Sequence, residues 1–194
     1  MEISSEQLKE LREKTGISVM QCKKALVEAE GDMDKAVIIL KKKRSEAAEK
    51  KSDREFGAGA VGVYVHNTNE VAATVLLMCE TDFVSKNEEF VALAKDIALH
   101  VAGTDAKFVS RDELPADATE KAREVFAPEL EGKPEDMHEK IMEGKLSSYF
   151  KDQILMEQDF IKNPEMTIKE MIDGGIQKFG ENINIASFNR VSVK

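Results

Sequence analysis

Apolar residues recur at helical spacing through the first forty positions of the chain. Leu8 and Leu11, then Cys22, Ala25, Leu26 and Ala29, then Ala36, Val37 and Leu40 form three successive sets. Within each set the residues fall on one face of an amphipathic helix. Polar residues punctuate the sets. Ser4 and Gln7 stand in capping-box spacing at the head of "EQLKELREKT", and Gly16 stops it. Ser18 and Gln21 repeat that spacing before "VMQCKKALVEAE", which Gly31 stops, and Asp32 is placed to cap "MDKAVIILKKK". A side-chain oxygen at the cap satisfies a free helix N–H, and glycine supplies the left-handed residue that ends the helix. The pattern predicts a three-helix bundle. At ~40 residues such a bundle is marginal by itself, which suits a docking module attached to something larger.

The pattern then changes twice. "KKKRSEAAEKKSDREF", from Lys41 on, has no apolar stripe and reads as a solvated helical linker. A boundary near residue 50 divides the chain into 1–50 and 51–194. Beyond it "AVGVYVH" alternates, with Val61, Val63 and Val65 on one face. "NTNE" turns the chain, and "VAATVLLMC" returns as a strand buried on both faces, so the pair reads as a hairpin. "SKNEEFVALAKDIALHVA" predicts a helix, with Ser85 and Glu88 in capping-box spacing and Phe90, Leu93, Ala94, Ile97 and Val101 as its inner stripe. After the polar, proline-marked connection "GTDAKFVSRDELPAD", the stretch "KPEDMHEKIMEGKLSSYFKDQILMEQDF" reads as one long helix with Ile141, Leu146, Phe150 and Ile154 inward. Thr167 and Glu170 cap "IKEMIDGGIQKF", and "NINIASFNRVSV" closes the chain as a strand. The fold class is α+β, with three antiparallel strands covered by helices behind the N-terminal bundle.

Charge narrows the choice of partners. The 194 residues carry a net charge of −9. Residues 1–56 are nearly balanced, with 13 Lys/Arg against 12 Asp/Glu, while the rest holds 15 against 25. That argues against nucleic-acid binding by the chain as a whole. "MEISSEQLKEL" has no basic-then-apolar leader and no apolar run approaches membrane length. Cys22 and Cys79 have no motif spacing, so free thiols and a cytoplasmic location are expected.

Candidate chemistry is sparse. "GAGAVG", Gly57 to Gly62, is a literal G-x-G-x-x-G, but a dinucleotide fingerprint must follow a strand and open a helix. Here it follows a charged helix and opens a strand, so it reads as a flexible hinge. No phosphate-binding loop exists, because Val63 stands where the lysine is required. His66, His100 and His138 are scattered, and "HEKIM" lacks the second histidine of a zinc motif. His100 reads as a packed core residue. The basic run Lys41 to Arg44 has no aromatic neighbour and is diluted by Glu46, Glu49 and Asp53, so it reads as a solvated helix end. The chain is expected to be no enzyme, with no cofactor, no metal and no nucleotide of its own.

One stretch resists this bland account. In "CETDFVSKNEEF" a tight connection holds Thr81, Asp82, Phe83 and Val84, where a turn ordinarily takes Gly, Asn or Ser. Composition alone would fold Phe83 back into the core. The stretch, however, resembles the most characteristic segment of the elongation factor Ts family. "LKELREKTG" with "VMQCKKALVEAEGDMDKAVIILKKK" resembles that family's ubiquitin-associated-like N-terminal module. "HEKIMEGKL", "LMEQDF" and "GENI" are similar to further family segments in the same order.

The resemblance implies a guanine-nucleotide exchange factor for elongation factor Tu. It implies that Thr81, Asp82, Phe83 and Val84 form the loop that enters the partner's GTPase domain near its switch and magnesium site. Arg12, Val19 and Met20 align with docking positions, although bundle packing is equally open to Val19 and Met20. The chain resembles the shorter family form, with one copy of the core unit, which implies a homodimer and a two-plus-two complex. It departs from the family in the hairpin turn, where "NTNEVAA" stands in place of a glycine-containing one. A ubiquitin-associated-like adaptor, or a nascent-chain or nucleic-acid binding module, is the alternative. It leaves residues 81–84 without a role.

Overall fold

A computed structural model describes residues 3–193 of the chain. The three N-terminal helices form as their caps dictate. Helix α1, Ser5–Thr15, begins in a complete Ser4/Gln7 capping box and ends at Gly16 with φ 66°. Helix α2, Val19–Glu28, is capped by the Ser18 hydroxyl, which accepts from the Gln21 N–H. It ends where Glu30 and Gly31 turn left-handed, the Gly31 N–H reaching back to the Leu26 carbonyl at 2.8 Å. Helix α3, Met33–Glu49, is capped by Asp32. Their shared core is Leu11, Ile17, Cys22, Ala25, Leu26, Ala29, Ala36 and Leu40, flanked by Leu8 and Val37.

Helix α3 does not run out into a solvated linker. Leu40, Arg44 and Ala48 lie four residues apart and are all buried, so one stripe crosses from the bundle to the main core. The stripe packs on helix α8, Ile168–Phe179, whose Thr167/Glu170 capping box forms as predicted. The sequence pattern concealed the stripe because its middle member is an arginine. The Arg44 guanidinium, 7 % exposed, donates to the Thr15 carbonyl at 2.9 Å and the Glu170 carbonyl at 3.3 Å, while Lys41 pairs with the Glu170 carboxylate at 2.7 Å. Thr15 ends α1, where unpaired carbonyls attract a cation.

The main unit is built on an antiparallel sheet. Strands β1, Ala58–Val65, and β2, Val71–Cys79, form the expected hairpin. Asn69, at φ 58°, supplies the left-handed residue its turn needs in place of a glycine. The last strand, β5 (Ile183–Ser192), pairs with the other edge of β2, giving the order β1-β2-β5 with a bulge opposite Leu76/Leu77. Ala73, Val75, Leu77, Cys79, Ile183 and Ile185 face inward, on to helix α5 (Glu88–Gly103) and α8. Phe90, Ala94, Ile97 and Val101 of α5, with Ile168, Ile172 and Ile176 of α8, complete this core.

The sheet and its neighbours depart from the sequence pattern at three places. The glycine run is no hinge. It is the start of β1, and a Cβ on Gly62 would lie 2.1 Å from the Ala94 carbonyl oxygen, so glycine is what lets α5 approach the strand. Strand β2 alternates instead of burying both faces, with Thr74 exposed and Leu76 and Met78 half-buried. Helix α5 is capped by Asn87, whose side chain accepts from the Glu89 N–H at 2.9 Å; Ser85 belongs to a separate single turn, α4, Asp82–Ser85.

Between α5 and α8 the chain makes a helical hairpin and a small β-hairpin. Helix α6, Ala118–Phe126, follows the polar connection, in a stretch to which the sequence pattern assigns no element. Helix α7, His138–Lys151, is shorter than predicted. It buries Met142, Leu146 and Phe150, with Ile141 only half-buried and Ile154 beyond its end, bridged to Phe108. The expected helix gives way to a 3-10 turn, Leu155–Glu157, and its last two residues are instead β3, Asp159–Phe160, which pairs with β4, Asn163–Thr167. His100 is buried on α5 as expected. Its Nδ1 accepts the Ile161 N–H at 3.2 Å, which leaves the proton on Nε2 to donate to Gln158 Oε1 at 2.8 Å. Among the described residues no helix is long and apolar enough to cross a membrane, and no group of three or more His, Cys, Asp or Glu side chains is placed to hold a metal.

Candidate functional site

The stretch that resisted a bland reading lies where β2 leaves the sheet. Cys79 is the last buried strand residue, and its thiol donates to the Thr81 carbonyl at 3.2 Å. The chain then makes one helical turn, α4, closed by Ser85 N–H to Thr81 carbonyl and Lys86 N–H to Asp82 carbonyl, both 3.2 Å. Asn87 starts α5 immediately afterwards. Val84 turns down and packs on the main core. Phe83, one residue earlier, must point away from it, and 85 % of its surface is exposed. The ring is therefore not a core residue. A phenylalanine held outward on an ordered turn is a desolvation-ready contact.

The neighbouring charge is fixed locally. Asp82 accepts from Lys86 Nζ at 2.7 Å, and this hydrogen bond and charge hold its carboxyl below the usual carboxylate range. Asp82 is thus ionised at neutral pH, on the surface beside the ring. Thr81 occupies the N-cap position of α4 with extended backbone but makes no side-chain cap bond. Its hydroxyl is committed elsewhere, donating to Glu181 Oε1 at 2.6 Å.

Below the turn lies a polar platform that the sequence reading did not identify. Glu181 Oε2 accepts the Glu80 and Thr81 backbone N–H groups, each at 3.0 Å. Glu80 in return accepts the Asn182 N–H at 2.5 Å and Arg54 Nη1 at 3.2 Å, contacts that hold its carboxyl low. Buried Asn182 ties the platform to the turn that follows α3 by donating to the Ser52 and Arg54 carbonyls at 3.3 and 3.0 Å. The available signal was "GENI", which begins with Gly180, the left-handed residue that ends α8.

Arg12, Val19 and Met20 lie on the other module, either side of the Gly16 turn. Val19 and Met20 are 43 % and 70 % exposed and take no part in the bundle core. Arg12 borders the cleft between bundle and α8, lined also by Gln21, Arg44 and Leu93. The structure thus brings Thr81, Asp82, Phe83 and Val84 together on one turn and keeps the other three on a separate surface.

An exposed ring on a clamped turn and an apolar patch on a helical module suit work done by contact with another macromolecule. Comparison with known proteins places the chain among the translation elongation factors. It matches the family model described as Elongation factor TS over residues 5–194. It is 45 % identical to Elongation factor Ts of Herpetosiphon aurantiacus, over 100 % of this chain and 98 % of that protein. It is also 45 % identical to that of Fervidobacterium nodosum, over 100 % and 99 %, and 43 % identical to that of Thermodesulfovibrio yellowstonii, over 100 % and 97 %. The chain belongs to the elongation factor Ts family, whose members are nucleotide exchange factors for elongation factor Tu and not enzymes.

Proposed function

We propose that this chain binds elongation factor Tu carrying GDP, in the cytoplasm, and speeds GDP release by inserting the turn Thr81–Val84 beside the partner's magnesium and phosphate site. The observation that carries this reading is the 85 % exposure of Phe83 on a turn fixed from below. An aromatic ring is a rigid wedge that loses little rotamer freedom on contact. Seated between elements of the partner, it displaces those that hold the ion and the β-phosphate. Asp82, ionised, disturbs the polar network around the cation, the largest favourable charge holding GDP. Val84 anchors the turn to the core, and Thr81 sets its start.

Arg12, Val19 and Met20 add affinity by docking on another face of the same partner. Exchange then needs no bond chemistry, only negative coupling between two ligands of one protein. If this chain weakens GDP binding by a given factor, GDP must weaken binding of the chain by the same factor. The test is to mix the chain with elongation factor Tu preloaded with fluorescent GDP and to follow release by stopped flow. Accelerated release that saturates with factor is expected; release at the intrinsic rate at all factor concentrations overturns the reading.

We further propose a symmetric homodimer, giving a two-plus-two complex. What supports it is the outer face of the sheet. Val61, Val63 and Val65 of β1 are each more than half exposed there, and the same face carries Val191 of β5, opposite Ala72, and half-buried Leu76 and Met78 further along β2. An apolar sheet face of this kind is ordinarily covered, and a second copy covers it symmetrically. Sedimentation equilibrium at micromolar concentration should give twice the 21.6 kDa chain mass. A single 21.6 kDa species across that range refutes the dimer.

A further inference from the structure

We propose that Glu181 is the positioning residue that sets the active geometry of the turn Thr81–Val84, an inference that rests on the exchange role proposed above. A single helical turn does not hold itself together: nucleation fixes several backbone dihedrals for very few hydrogen bonds. Helix α4 spans only Asp82–Ser85, and its N-cap residue makes no cap bond of its own. Its backbone geometry is therefore imposed from outside. Val84 packs the turn on the core and the Cys79 thiol bonds the Thr81 carbonyl, but the entry to the turn is held by one carboxylate. Glu181 gathers three donors from two consecutive residues, the Glu80 N–H, the Thr81 N–H and the Thr81 hydroxyl, at 3.0, 3.0 and 2.6 Å.

Those donors lie at the point where the chain changes from strand to turn. Cys79 is the last residue of β2 and Thr81 is already the cap. The direction in which Phe83 leaves the surface is set by the backbone at these two residues. Hydrogen bonds from backbone N–H groups to a carboxylate are among the stronger ones available. Glu181 is itself held in place. Gly180, at φ 75°, ends α8 and turns the chain, and on its other side Asn182 is bonded to Glu80 through its N–H and to the Ser52 and Arg54 carbonyls through its amide. The fold thus uses the end of α8 to aim a turn 100 residues earlier in the chain.

Shape and charge are separable at residue 181. In Glu181→Gln the amide oxygen can take the two backbone N–H groups, and the amide NH₂ can donate to the Thr81 hydroxyl, which accepts as readily as it donates. All three contacts survive with one reversed. In Glu181→Ala all three are lost.

The experiment measures amide hydrogen exchange at Glu80 and Thr81, the denaturation midpoint, and stopped-flow GDP release from elongation factor Tu. It is applied to Glu181→Ala, Glu181→Gln, Phe83→Ala and the double variant Glu181→Ala/Phe83→Ala. Glu181→Ala should raise exchange at the two amides at least tenfold and slow factor-stimulated release about tenfold per folded molecule. Glu181→Gln should stay within about threefold of the unaltered chain in both. Because Glu181 acts through the turn, adding Glu181→Ala to Phe83→Ala should change release less than twofold further. Unchanged amide exchange in Glu181→Ala overturns the inference. So does an equal loss of release in both Phe83 backgrounds, which marks a general structural role. Full release by Glu181→Ala alongside lost release by Phe83→Ala sinks the positioning role alone and leaves the exchange reading standing. Unchanged release by Phe83→Ala removes the exchange role, and the positioning role falls with it. If Glu181→Ala does not fold, Thr81→Val replaces it, removing the hydroxyl donor at an exposed site, with the same outcomes expected at reduced size.

Discussion

Phe83 and Phe90 stand seven residues apart, one on the turn and one on the helix that follows it, and replacing each by alanine separates contact from packing. Phe90 is fully buried between the sheet and α8, with its ring edge-on to Phe179 at a centroid distance of 5.8 Å. Its truncation removes a complete aromatic burial and leaves a cavity, a loss of about 3–5 kcal/mol. Phe83 already exposes 85 % of its surface, so only about a seventh of that contribution is at stake. Phe83→Ala should therefore cost the free protein roughly 0.5 kcal/mol, within the range of ordinary surface substitutions.

Its effect on exchange should be of another order. Truncating an interface anchor costs about 2–4 kcal/mol, which converts to roughly 30- to 1,000-fold in stimulated GDP release. Asp82→Ala leaves the ring intact and removes only a surface carboxylate paired with Lys86, so it should slow release more mildly. The assay pairs denaturant midpoints with stopped-flow release corrected for folded fraction. A large drop in midpoint for Phe83→Ala, with release per folded molecule unchanged, would refute the argument. Equal effects of Phe83→Ala and Phe90→Ala on both measurements would do the same.

Three further outcomes are expected. Burial pushes the His100 imidazole below its ordinary pKa, so the unfolded chain takes up that proton first; stability should be full above pH ~6.5 and decline as pH falls, by at most about 1.4 kcal/mol per unit. Asp105, Lys151, Asp152 and Asp159 line the same cleft, so the check is a comparison of thermal midpoints from pH 7 to 5, where His100→Gln should flatten the slope and equal slopes would count against it. Deleting residues 1–50 should leave a folded, less stable core that carries the turn but binds elongation factor Tu more weakly; unaltered affinity in a titration would remove the docking role of the bundle. The isolated chain should bind neither GDP nor NAD, and micromolar binding by calorimetric titration would contradict the packing account of the glycine run.

Local chemistry carried most of the fold in legible form. Ser4, Asp32, Thr167 and Gly16 announce helix ends because their caps depend on one side chain and its near neighbours. Ser85 misled because it has the spacing of a cap, while Asn87, two residues on, binds the free N–H. Arg44 hid the continuation of α3, since no sequence pattern marks an arginine as an inward residue when its hydrogen-bond acceptors lie 29 and 126 positions away. The β3–β4 hairpin pairs too few residues to leave an alternation, and α6 sits in a stretch dominated by charge. At the candidate site, Thr81 to Val84 were legible through resemblance alone. Glu181 was not, because its partners are backbone N–H groups about a hundred residues away, which any residue type would present.

Arg44 has a consequence for how strongly the two surfaces can act together. It is bonded at once to the last turn of α1 and the first turn of α8, and so removes the freedom a flexible connection would give the bundle. A partner that touches Met20 on one module and Phe83 on the other meets a single bivalent ligand whose second arm is already in place. The local concentration of that arm is set by rigid geometry and is not diluted by the length of a tether. The ordering entropy of bringing two modules into register is lost when the chain folds and is not lost again on binding. Loosening this one side chain, which belongs neither to the turn nor to the three docking residues, would therefore lower affinity while leaving those contact residues in place.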